Sequence, residues 1–140
     1  MQIRKLSGSL GAEISGLDLA RGVSREQAAA LRGAFNEHLV IFLREQDLSP
    51  QQFLDFANAT GEPIEYSFVK GIEGYPTIIE VKKLETERVN FCGIWFSDTT
   101  YLEVPPMGSM LLSREIPPYG GDTDLPVFLR PLRSSNNGLG

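Results

Sequence analysis

Residues 90–123 carry the densest collection of site-like side chains in this chain. They hold the only Trp, Trp95, the only Cys, Cys92, and a Ser97-Asp98-Thr99-Thr100 cluster that ends a run of strand-forming residues. A Pro105-Pro106 stop follows, then an apolar run closed by Pro117-Pro118-Tyr119-Gly120-Gly121-Asp122-Thr123. The Cys92 thiol reads either as a soft metal ligand or as a small buried hydrophobe. Taken alone, Asp98 is an ordinary turn residue, and the Gly-Gly-Asp-Thr segment is a tight turn capped by its own side chains. One count bounds the chemistry: the chain has a single His. Three-His zinc sites, two-His iron sites and Cys–His pairs with a second His are excluded within one chain. A Ser-His-Asp triad would have to use His38, at a helix–strand junction. There it reads as a ligand or base, or as a group that satisfies the backbone at the turn.

The elements that must position this stretch come earlier. Ile3, Leu6, Leu10 and Ile14, punctuated by Gly8, Gly11 and Gly16, predict two short strands about a turn. Ser24 with Gln27 three residues later has the pattern of a capping box. Ala28, Leu31, Ala34 and Phe35 then fall at helical spacing, predicting an amphipathic helix from Arg25 to about His38. The continuous apolar run 39–43 predicts a strand buried on both faces. Ser49-Pro50 opens a second helix, with Phe53, Leu54, Phe56 and Ala57 on its apolar face and Gly61 at its end. Residues 62–74 read as a loop whose Tyr66 and Phe68 form either a substrate wall or a small satellite core. Strands are expected at 77–81, 91–96 and 107–114, the last one buried, with a solvated charged turn over 82–88. The order of elements predicts an α+β fold, or a β-sandwich with helices packed outside.

A length of 140 residues predicts one domain, and 41% hydrophobic with 22% charged residues is ordinary for a globular protein. The net charge of −5, with both signs interspersed, argues against a nucleic-acid partner. A single Cys rules out an internal disulfide and suits a reducing compartment. No signal-like or membrane-length apolar run is present in the sequence. The expectation is a soluble cytoplasmic protein with neither a nucleic-acid nor a membrane partner.

Several stretches, in order, resemble the TauD/TfdA family of Fe(II)- and 2-oxoglutarate-dependent dioxygenases. They are LGAEISGLDLA, EHLVIFLREQ, LSPQQFLDFANATGE and NFCGIWFSDTTYLEVPPMGSMLLSREIPPYGGDT. The resemblance covers residues 1–123, as the N-terminal part of the family's domain, and leaves 124–140 as a tail outside the pattern. It implies a partial jelly-roll, or double-stranded β-helix, with flanking N-terminal helices. It also implies oxidative hydroxylation of a small organic acid, sulfonate or sulfate ester. The family holds iron with two His and one carboxylate, keeping three positions for 2-oxoglutarate and oxygen.

Carried onto this sequence, the family's Trp-His-x-Asp becomes Trp95-Phe96-Ser97-Asp98. Asp98 matches the carboxylate ligand, and Phe96 stands in the position of the first His. Thr123 matches the Thr that hydrogen-bonds a 2-oxoglutarate carboxylate. Tyr66, Asn90 and Thr99 lie near positions that line substrate pockets in relatives. The family's second His and its 2-oxoglutarate Arg would fall beyond residue 140. A shift of reading frame is one explanation for the tail. Codons can be chosen for residues 130–136 whose shifted frame reads Asp-His-Tyr-Glu-Ala-Leu-Thr. The resemblance thus predicts a truncated, inactive relative. The alternative is a non-catalytic interaction module on the same half-fold, whose open sheet edges pair with a partner or form a homo-oligomer.

Overall fold

The computed structural model describes residues 1–8, 10–66, 68–84, 86 and 101–120. The chain divides into two compact units, one of Met1–Leu17, Glu26–Gln46 and Leu112–Gly140, the other of Asp18–Arg25 and Asp47–Leu111.

The first unit is built on a three-stranded sheet. Strand β1 (Gln2–Lys5) pairs antiparallel with β2 (Ala12–Ser15), placing Ile3 opposite Ile14 and Arg4 opposite Glu13. The connection between them is tight: Ser7 Oγ donates to the Leu10 carbonyl at 2.5 Å and Leu6 N–H to the Gly11 carbonyl at 2.9 Å. Gly11 takes φ +93°, a left-handed value that costs a residue without Cβ little. Strand β2 then leads through helix α1 (Arg25–His38) to β3 (Ile41–Leu43), which lies parallel to β2. A parallel pair needs such a crossover, because a short turn can only reverse the chain. Both expected strands before Gly16 and the expected helix over 25–38 are present.

Period sets the buried face in each element. In β2, Ala12 and Ile14 are buried two residues apart, whereas in α1 the buried positions are Ala28, Leu31, Ala34 and His38, three or four apart. Leu31, at 1% exposure, is the most deeply buried large side chain among the unit's described residues. Burying a leucine fully contributes about 1.5–3 kcal/mol.

The run 39–43 departs from expectation. Leu39 takes φ +65° and Val40 N–H donates to the His38 carbonyl at 2.8 Å, so the chain makes a three-residue turn before the strand begins at Ile41. The strand is also not buried on both faces: Ile41 and Leu43 are half-buried and Phe42 is exposed. Phe42 instead carries the Arg44 guanidinium 5.5 Å above its ring. Glu45, at φ +56°, closes the strand with a second left-handed residue.

The second unit centres on helix α2 (Pro50–Thr60) and a short 3₁₀ turn, Leu19–Arg21. Ser49 and Gln52 form the reciprocal capping box: Gln52 N–H donates to Ser49 Oγ at 3.3 Å and Ser49 N–H to Gln52 Oε1 at 2.8 Å. Gln52 also donates to the Ala20 carbonyl at 3.1 Å, tying the helix start to the 3₁₀ turn. Among the unit's described residues, Leu19 and Leu48 are the buried apolar ones. The helix ends before Gly61 as expected, but Gly61 is extended at φ −169° and uses no left-handed freedom. Its N–H bonds the Ala57 carbonyl at 2.8 Å, and Thr60 Oγ1 donates to the Phe56 carbonyl at 3.0 Å.

Two strand expectations fail. Residues 77–81 form no strand; Ile78 belongs instead to a compact turn in which Ile72 N–H bonds the Ile78 carbonyl at 2.8 Å. Residues 107–114 are irregular, with Met107, Met110 and Leu111 exposed rather than buried. Side-chain type gives a segment the capacity to pair, but the backbone stays out of a ladder unless another strand lies beside it. The strand expected over 91–96 lies outside the described residues. The described residues are therefore α+β, with a three-stranded mixed sheet.

Candidate functional site

Five of the positions singled out for chemistry, Asn90, Phe96, Asp98, Thr99 and Thr123, lie outside the described residues, as does Cys92. The segment between them, 101–120, is described and almost wholly exposed. Its Tyr101, Val104, Ile116 and Tyr119 join the exposed apolar side chains of 107–111. Among the described residues, no three His, Cys, Asp or Glu side chains stand close enough to hold a metal ion.

Of Tyr66, Asn90 and Thr99, matched to substrate-lining positions, Tyr66 alone is described. It follows α2 in a turn closed by Val69 N–H on the Tyr66 carbonyl at 3.3 Å. Its ring meets Phe68 edge-on, with centroids 5.4 Å apart and planes at 69°. Phe68 is 70% exposed and Tyr66 is also exposed, so the pair is not the centre of a satellite core. Directly after it, residues 71–78 fold tightly: Tyr75 N–H bonds the Ile72 carbonyl and Ile78 N–H the Tyr75 carbonyl, each at 3.0 Å. Gly71 packs directly against the Pro76 backbone, where a Cβ would collide. Sequence patterning gave no sign of this closure, because it depends on a backbone approach rather than on side-chain periodicity.

His38 proves to be part of the joint between strands and helix. Its carbonyl accepts from Gly11 N–H at 2.9 Å and from Val40 N–H, so one residue links β2, α1 and the approach to β3. Its side chain is buried, with Nε2 3.8 Å from Glu37 Oε1. Glu37 in turn meets Lys5 Nζ at 3.4 Å. No cluster of donors that would make His38 a metal ligand surrounds it among the described residues.

The most organised electrostatic feature was not anticipated. Glu13 on β2 accepts from Arg4 on β1 at 3.1 Å and from Arg44, just past β3, at 3.3 Å. Hydrogen bonds from Arg4, then from Arg44, hold the Glu13 carboxyl below its ordinary pKa. Both arginines are well exposed, so this is a surface clasp across the sheet edges rather than a buried charge site. The Arg4–Glu13 half follows from direct antiparallel register, a signal available once the two strands are paired.

Comparison with known proteins adds the wider frame. The family model described as "Taurine catabolism dioxygenase TauD, TfdA family" matches residues 2–126. An alkylsulfatase from Acinetobacter baylyi is 34% identical over 141 aligned residues, covering 93% of this chain and 44% of that protein. An alpha-ketoglutarate-dependent sulfate ester dioxygenase from Pseudomonas putida is 32% identical over 124 residues, covering 88% of this chain and 40% of that one. The chain thus spans less than half the length of these relatives. Among solved structures, a candidate alpha-ketoglutarate-dependent taurine dioxygenase from Burkholderia xenovorans matches with a TM-score of 0.50 and 34% identity. That match covers 54% of this chain and 27% of the other.

Proposed function

This chain belongs to the TauD, TfdA family, and from that premise we propose that it is a relative of the sulfonate and sulfate ester dioxygenases that does not itself turn over substrate. The observation that carries this reading is the tetrad Trp95-Phe96-Ser97-Asp98 within a family match spanning residues 2–126. A phenyl ring has no lone pair to give a metal, so Phe96 removes one ligand where the family has His. The one His in the sequence, His38, has its side chain buried at the end of α1, with no metal-holding cluster around it among the described residues. Asp98 would be the carboxylate ligand of this motif, Thr123 would bond 2-oxoglutarate, and Tyr66, Asn90 and Thr99 would face substrate. A motif with Phe in place of its His does not fit the family's Fe(II) centre, and no chemical step is assigned to it. The jelly-roll to which the described sheet and helices would contribute is part of the same proposal.

The test is an anaerobic titration with Fe(II) and 2-oxoglutarate, followed by the visible metal-to-ligand charge-transfer band. No band is expected; a clear band at stoichiometric iron overturns the inactive reading. A second reading, a non-catalytic interaction or self-association module on the same half-fold, is favoured by the exposed apolar side chains between Tyr101 and Tyr119. Sedimentation of dilute protein separates the two. A discrete oligomer supports the module, whereas polydisperse aggregation supports the first reading.

A further inference from the structure

No further inference is drawn: the strongest candidate, the run of exposed apolar side chains Tyr101, Val104, Met107, Leu111, Ile116 and Tyr119 in the segment following residue 100, has nothing in the structure to show what covers it.

Discussion

Strand β2 with helix α1, and the segment 101–120, are both rich in apolar residues, yet they end in opposite states. Ile14 and Leu31 are 3% and 1% exposed, whereas Val104 and Leu111 are 80% and 83% exposed. Leu111 lies in Met107-Gly108-Ser109-Met110-Leu111-Leu112, an apolar run as suitable for a strand as β2 is. What differs is the neighbour. Strand β2 has β1 on one side and β3 on the other, so its backbone groups are paired and its apolar face is held. Residues 107–114 take part in no ladder among the described residues. Apolar composition supplies a driving force; pairing of the backbone determines whether it can be used.

The largest effects should follow from disturbing the packed member of this comparison. Leu31→Ala removes a buried side chain and should cost about 2–5 kcal/mol, read from the denaturant midpoint. The matched change Leu111→Ala should stay within about 0.5 kcal/mol, as for an exposed site. Equal losses from the two would erase the distinction.

Next in size is the cap of α2. Ser49→Ala removes the acceptor for Gln52 N–H and should lower stability by about 1 kcal/mol, with the helical circular dichroism signal falling first on heating. A smaller change of opposite sign is expected at Leu39, which is 43% exposed and held at φ +65°. Leu39→Gly relieves about 1–2 kcal/mol of left-handed strain, offset by the greater freedom of Gly in the unfolded chain. A midpoint raised slightly, or unchanged, fits; a loss as large as that of Leu31→Ala would mean that this side chain packs as core.

The Glu13 clasp should give the subtlest signal. Its folded pKa lies below the ordinary value of 4.5, so its contribution is fully present above the unfolded pKa and is lost as pH falls through the lower folded pKa. Glu13→Gln should therefore flatten the acid limb of the stability profile below about pH 4.5 and leave its slope near neutrality unchanged. Because Arg4 and Arg44 are exposed, salt should shrink the difference between the two proteins. A difference that persists at neutral pH and high salt would place Glu13 in a role other than the ion pair.

The elements that could be read from sequence are those whose signals are local. Gly11 and Gly16 bracket β2, the spacing of Ala28, Leu31 and Ala34 marks α1, and Ser49-Pro50 marks the start of α2. Features set by tertiary approach were not legible. The turn at Leu39 shortens β3 although Leu39-Val40 has strand character, and Gly71 closes on Pro76 with no periodic trace. Strands were expected at 77–81 and 107–114 because β-branched and apolar residues register the capacity to pair, not the presence of a partner. Of the candidate site, the exposed aromatic pair Tyr66 and Phe68 was visible in outline, whereas its edge-on geometry needed the fold. The family was legible from ordered motifs, and the Phe96 departure from the position of a single residue within one of them.

Amide hydrogen exchange tests the contrast between the paired and unpaired regions most directly. The amides of Ile14 and Leu31 should exchange slowly, and those of Met110, Leu111 and Leu112 at close to the rate of an unstructured peptide. Protection at residues 110–112 equal to that at Ile14 would contradict the account, since it would require those residues to be paired in a sheet as β2 is.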